Sequence, residues 1–330
     1  MAAPPAPVTA GAPAARATAR DAAAPLGVAV CGLAFRNPVV LASGTAGFGH
    51  ELADVADLAA IGGISTKAVS LAPRHGAPPL RVGMFDGGMI NAVGLANPGV
   101  ETVRAEHLPQ LARAAPGLRV LVNVVGFSID EFAQVVARLD DLGTHDAYEL
   151  NVSCPNVKAG GMEFGADPAA LRAVVEGARA RTRRPLFVKL SPALPNIVDA
   201  ARTAVEAGAD ALTLVNTMPG LVVDVERRRP MLGFGTGGMS GPALLPVGVR
   251  ATWLVHRALP EVPICGLGGI TTAEHALQYV LAGATLVGVG TATMRDPRAP
   301  ERLARGLARW CARHGVRDLG ALRGTLEWPQ

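Results

Sequence analysis

Residues 206–216 read Glu206-Ala-Gly-Ala-Asp-Ala-Leu-Thr-Leu-Val-Asn216, and residues 281–290 answer them with Leu281-Ala-Gly-Ala-Thr-Leu-Val-Gly-Val-Gly290. In both phrases a glycine stops a helix-like stretch and a short apolar, β-type run follows at once. Similar runs occur at Val39–Ser43, Gly63–Val69, Val120–Val125, Ala147–Ser153, Leu186–Leu190 and Pro263–Leu267, which with Ala211–Asn216 and Leu286–Gly290 makes eight. Each is followed by a stretch that reads as helix. Several of these carry start signals: Ser128 with Glu131, Thr271 with Glu274, Asp167 ahead of Pro168, and Asn196. Eight strand–helix repeats predict a closed α/β barrel, the (β/α)8 TIM barrel, for which about 250 residues is typical.

The chain has 330 residues, and its surplus is placed informatively. Strand spacing is widest from Ser70 to about Leu118 and from Thr217 to about Glu261. Both insertions follow a strand, so they are expected on the C-terminal face, as a lid or a subunit interface. Residues 1–25 are mostly Ala and Pro and lack the compact apolar core of a secretory signal, which predicts a disordered tail ahead of one catalytic domain over 26–330.

With 49% hydrophobic and 18% charged residues, disorder over most of the chain is excluded. A net charge of +4 with 4% aromatic residues and dispersed arginines argues against nucleic-acid binding. The longest uncharged window, Pro230–Val249, holds six glycines and three prolines and reads as loop, not membrane span. Cys31, Cys154, Cys265 and Cys311 are far apart and form no Cys-x-x-Cys, so neither zinc nor an iron-sulfur cluster is locally encoded, and a reducing, cytoplasmic compartment is expected. Of 31 Lys and Arg residues only Lys67, Lys158 and Lys189 are lysine, and asparagine occurs eight times. A compact ammonium is retained where a tight pocket demands it.

Polar residues interrupt the apolar runs where each strand should end: Ser43, Lys67, Asn123, Asn151, Lys189 and Asn216. Any one of them could cap a turn, but six converging groups favour a site. After runs seven and eight come Gly266-Leu-Gly-Gly269 and Gly288-Val-Gly-Thr291, where backbone N–H groups can approach a phosphate. Cys154 stands just past a strand end beside Pro155, between Asn151 and Asn156, whose amides can grip a planar polar heterocycle. That polar setting, with no histidine nearby, points to a general base over an acylating nucleophile.

These residues resemble the dihydroorotate dehydrogenases, FMN-dependent enzymes of pyrimidine synthesis. The resemblance runs from about Leu33 to about Asp318 through Leu41-Ala-Ser-Gly44, Thr66-Lys-Ala68, Asn91-Ala-Val-Gly-Leu95, Asn151-Val-Ser-Cys-Pro-Asn-Val-Lys158, Val188-Lys-Leu-Ser-Pro192, Val215-Asn-Thr217, Gly237-Gly-Met-Ser-Gly-Pro242 and the two glycine motifs. Cysteine at 154 resembles the soluble class, and Val157-Lys158 with Gly94-Leu-Ala-Asn-Pro-Gly99 resembles its NAD-linked subclass. The resemblance implies Cys154 as general base. It implies FMN held by Ser43, Lys67, Ala68, Asn123, Asn151, Lys189, Val215, Gly241, Gly268, Gly269, Gly290 and Thr291, with Lys189 as the cation near flavin N1. It implies dihydroorotate held by Lys67, Asn91, Ala92, Val93, Gly94, Leu95, Asn151, Asn156, Asn216 and Thr217. It further implies a homodimer joined by two electron-transfer subunits that carry FAD and an iron-sulfur cluster and pass electrons to NAD, with no metal in this chain and no membrane or nucleic-acid partner. Two other readings stand beside it: a dihydropyrimidine dehydrogenase acting on uracil or thymine, and a flavin-free phosphate-binding barrel lyase or isomerase.

Overall fold

The eight runs form strands that close on one another. In the computed structural model, residues 25–153, 155–156 and 162–329 are described, the side chains of 155, 156 and 162 excepted. The expected tail up to residue 24, and Cys154 and Lys158, lie outside the described residues. The barrel strands are β1 (Val39–Leu41), β2 (Gly63–Ser65), β3 (Arg119–Val124), β4 (Ala147–Asn151), β5 (Leu186–Leu190), β6 (Ala211–Leu214), β7 (Ile264–Leu267) and β8 (Leu286–Val289). They pair in parallel around a closed ring, β8 with β1 completing it.

Helices cover the outside from 100–114 onward: that stretch, then Ile129–Leu139, Pro168–Arg179, Ile197–Glu206, Leu245–Ala258, Ala273–Leu281 and Ala299–His314. The first connection departs from expectation. After β1 there are only two short 3₁₀ turns, His50–Leu52 and Leu58–Ala60. Three caps are as read: Ser128 accepts from the Glu131 amide, Asp167 from that of Ala169 and Asn196 from those of Val198 and Asp199. The fourth is displaced by one residue. Thr272, not Thr271, accepts the His275 amide, while the Thr271 hydroxyl meets the His275 ring. Gly208 and Gly283 end their helices at φ +108° and +115°, a region other residues enter only under strain.

Alternation along the strands divides the core in two. Val120, Val122, Tyr148, Leu150, Val188, Leu190, Leu212 and Val287 belong to the layer between strands and helices. Val40, Leu121, Ala147, Phe187, Ala211, Cys265 and Leu286 form a second cluster inside the barrel. A hairpin, Val28–Val30 with Leu33–Phe35, closes its base by adding Val28, Val30 and Phe35 to that inner cluster. The Arg119 guanidinium pairs with buried Asp146 at 2.8 Å and donates to the Ala34 carbonyl at 2.7 Å, tying the hairpin to the barrel.

The two insertions meet. Val82–Phe85 and Gly88–Asn91 from the first join Met218–Gly220 and Gly237–Ser240 from the second in one four-stranded antiparallel sheet. Replacing the fully buried Phe35 by Ala is expected to cost about 3–5 kcal/mol, because it removes an aromatic ring from the inner apolar cluster. Urea unfolding should show a lower midpoint at unchanged slope.

Candidate active site

The barrel interior changes character one layer above its apolar base. Two residues on from Leu121, Ala147, Phe187 and Ala211 stand Asn123, Glu149, Lys189 and Thr213, and Ser65 joins them from β2. All five are buried. The Glu149 carboxylate is their centre. It accepts from Ser65 Oγ at 2.6 Å, Asn123 Nδ2 at 2.7 Å and Thr213 Oγ1 at 2.9 Å, and Lys189 Nζ lies 3.9 Å away. With Asn123 Nδ2 committed to Glu149, its amide oxygen is left buried without a hydrogen-bond partner. Buried acceptors are ordinarily satisfied, so this one marks a place for a donor from a ligand. Asn123 and Lys189 therefore sit deeper than the strand-end position expected of them, inside the strands, whereas Ser43, Lys67 and Asn216 lie two residues beyond theirs.

At the mouth, Asn216 Nδ2 donates to Asn151 Oδ1 at 3.1 Å, and the Thr217 amide donates to Asn216 Oδ1 at 2.8 Å. The insertion sheet reaches this point. Asn91 Nδ2 donates to the Gly238 carbonyl at 3.2 Å, and a Cβ on Gly238 would stand 2.1 Å from Thr217 Oγ1. Gly238 thus lets the sheet lie against Thr217, so that the Asn91–Gly238 bond stands next to the linked Asn151, Asn216 and Thr217. The stretch from Ala92 to Leu95 is held by backbone bonds from Ala92 N to Arg81 O and from Ala77 N to Val93 O. Gly94 and Leu95 both take positive φ, +72° and +58°, and Asn97 Nδ2 donates to the Leu95 carbonyl to hold the turn. A left-handed leucine is costly and marks a position determined by its surroundings. Leu95 packs against Ala68 and Val125 in a small apolar cluster.

Lys67 is half-buried, its amide donating to the Gly47 carbonyl at 2.8 Å. Ser43 follows Ala42, whose amide bonds Val289 O, so the ends of β1 and β8 lie side by side near Gly290. Gly268 and Gly269 have φ +124° and +74°, and a Cβ on Gly269 would strike the Leu245 backbone at 2.5 Å. Thr291 donates its hydroxyl to Ser240 Oγ at 2.8 Å, and a Cβ on neighbouring Gly241 would stand 2.8 Å from Gly88 Cα. Gly269 thus keeps the end of β7 against the Leu245 backbone and Gly241 keeps its turn against Gly88, leaving glycine-rich backbone beside the ends of β7 and β8 of the kind suited to an anion. Val215 is buried, its amide bonding Leu267 O.

Four participants were absent from the expected set: Glu149, Ser65, Thr213 and Gly238. Glu149 had a signal, a carboxylate between apolar Tyr148 and Leu150 at the inward parity. Beside Lys67 lies a further cluster, His50, Glu51 and His107, with ligand-type atoms within 4.8 Å. His50 Nε2 and His107 Nδ1 share a hydrogen bond at 3.0 Å, and the Glu51 carboxylate accepts the Phe48 amide. Burial, then the charge of His50, holds the His107 imidazole below its usual value.

Comparison with known proteins gives the lineage. Residues 25–310 match the family model described as dihydroorotate dehydrogenase. A protein of Desulforudis audaxviator named "Dihydroorotate dehydrogenase B (NAD(+)), catalytic subunit" is 49% identical over 298 residues, covering 90% of this chain and 96% of its own. One of the same name from Pelobacter propionicus is 47% identical over 300 residues, covering 91% and 98%. The solved structure of a dihydroorotate dehydrogenase from Eimeria tenella in complex with ferulenol superposes with TM-score 0.75 at 24% identity, covering 91% of this chain and 88% of its own, and so shares the fold.

Lys189→Met leaves the Glu149 carboxylate buried without its cation and is expected to lower stability by about 3 kcal/mol. Denaturant unfolding of the ligand-free protein is the measurement.

Proposed function

The chain belongs to the dihydroorotate dehydrogenase family, and from that premise we propose that it oxidises dihydroorotate to orotate in pyrimidine biosynthesis, with FMN in the barrel mouth. The observation that carries this reading is the unpartnered Asn123 oxygen, whose amide shares the Glu149 carboxylate with the Lys189 ammonium. A flavin offers a ring N–H to such an acceptor and gains negative charge on reduction, which an adjacent ammonium favours.

Lys67, Asn123, Asn151 and Lys189 would hold the flavin ring, with Ser43, Ala68 and Val215 around it. Gly241, Gly268, Gly269, Gly290 and Thr291 would take its phosphate end. When bound, FMN supplies the acceptor for the substrate's hydride. The substrate ring is held by Asn91 to Leu95, Asn151, Asn156, Asn216 and Thr217, whose amide and hydroxyl groups match a planar ring of alternating donors and acceptors. Lys67 pairs with its carboxylate. Cys154, assigned from sequence and outside the described residues, takes the proton from the carbon next to the ring carbonyl. An ordinary thiol has a pKa of about 8.5, so only a small fraction is thiolate at neutral pH.

The electrons leave through a partner. The four cysteines are dispersed in the sequence and suit no cluster, so FAD and an iron-sulfur centre belong to a separate electron-transfer subunit, with NAD as final acceptor. The assembly we infer is a homodimer of this chain with two such subunits. Leu80, Met84, Leu221, Val223, Val225 and Phe234, exposed on the two insertions, supply apolar surface for it. Among the described residues no helix is long and apolar enough to cross a membrane, which suits action in the cytoplasm.

Anaerobic mixing with dihydroorotate should bleach the flavin of the purified protein, and dihydrouracil should not; the reverse preference would refute the substrate assignment. Cys154→Ala should stay yellow and lose most of this bleaching, whose rate in the unaltered protein should rise from pH 7 to about 9 as the thiol ionises. Gly238→Ala, by displacing Thr217, should weaken orotate binding at least tenfold in a flavin-spectrum titration, with little change in melting temperature. The NAD-linked assignment fails if the isolated chain reduces fumarate as fast as it oxidises dihydroorotate.

A further inference from the structure

We propose that Glu149 is a positioning residue for the flavin site: its carboxylate holds the Lys189 ammonium, turns the Asn123 amide so that the oxygen stays free, and opposes the charge of Lys189 at the cofactor. The inference rests on the reading that this chain binds FMN, and goes beyond it by assigning a role to a group below the pocket.

Three facts converge on that carboxylate. Glu149 is 3% exposed, and its contacts come from four other barrel strands: Ser65 at the end of β2, Asn123 on β3, Lys189 on β5 and Thr213 on β6. Moving one side chain there disturbs groups presented by most of the ring. Both oxygens are used as acceptors, Oε1 by Ser65 and Asn123 and Oε2 by Thr213. An amide has one donor end and one acceptor end. Because Asn123 spends Nδ2 on Glu149, only Oδ1 remains for a ligand.

The electrostatic consequence has a definite sign. A cation near the flavin stabilises its reduced, more negative form and raises the reduction potential, and a carboxylate 3.9 Å from that cation offsets part of the effect. The neutral isostere in Glu149→Gln keeps the volume and an acceptor oxygen while removing the charge. The FMN of this variant should therefore be easier to reduce than that of the unaltered protein.

The test is anaerobic spectroelectrochemical titration of the FMN-loaded chain. Glu149→Gln should shift the two-electron equilibrium toward reduced flavin by tenfold or more, which corresponds to a potential about 30 mV higher. A variant that folds, holds FMN and keeps the original potential overturns the proposal, since a purely structural carboxylate would change stability alone. Should Glu149→Gln fail to fold or to hold flavin, Thr213→Val decides the matter. It removes one donor while retaining the charge, leaves more of the carboxylate's field unscreened, and should lower the potential; an unchanged potential there also overturns the proposal. An unaltered protein that takes up no FMN would sink the functional reading itself, a result distinct from either of these.

Discussion

Closing eight parallel strands into a ring removes every sheet edge and leaves an interior that only alternate residues can fill. Everything else in this protein follows from how that interior is used. Its lower layer is apolar and sealed by the Val28–Phe35 hairpin, whose Phe35 is wholly buried. Its next layer holds an ammonium, an amide and two hydroxyls around one carboxylate. Burying such groups is unfavourable unless they are paired; here the carboxylate accepts three hydrogen bonds, the ammonium faces it at 3.9 Å, and the Asn123 amide oxygen is left without a partner. The base supplies the stability on which a polar layer can be carried. Cys265, in the lower layer, registers the junction: burial first, then Glu149, pushes its thiol pKa up, so it is an inert core group.

Above that layer the chain builds a mouth from parts that are remote in sequence. Strands from two insertions form a single sheet, and the Asn91–Gly238 bond places that sheet against Thr217. The same sheet meets the barrel mouth at Gly238, and exposed apolar side chains stand on it at Met84 and on the insertion segments around it at Leu80, Leu221, Val223, Val225 and Phe234. One composite element thus roofs the mouth and presents apolar surface to solvent.

Much of this was legible in the residues. The two Ala-Gly-Ala phrases ended helices where they were expected to, and all eight barrel strands fell within or beside the predicted runs. The runs to Val69 and Asn216 extend past the regular strands, which end at Ser65 and Leu214, yet single backbone bonds to the neighbouring strands persist there, from Val69 N to Asn123 O and from Asn216 N to Leu190 O. Thr272 displaced Thr271 as a cap because adjacent threonines offer the same chemistry, and backbone direction alone selects between them. Asn91, Asn151, Asn216 and Thr217 were identified from motif resemblance; the structure links Asn151, Asn216 and Thr217 by hydrogen bonds and joins Asn91 to Gly238, which packs against Thr217. Glu149 was passed over because a single carboxylate inside a strand carries no spacing signal. Its importance lies in partners contributed by other strands.

The sequence by itself determined the periodicity, and with it the barrel, the inward parity of each strand, and the residue types available at the mouth. Those are properties of local order, since alternation and capping act over a few residues. Only the tertiary structure decided that two distant insertions share a sheet, that a hairpin seals the base, and that Asn123 and Lys189 lie a layer below the other polar groups around one carboxylate. Closure of the ring settles these, because it alone brings hydrogen-bond donors from three strands and an ammonium from a fourth around a carboxylate on a fifth.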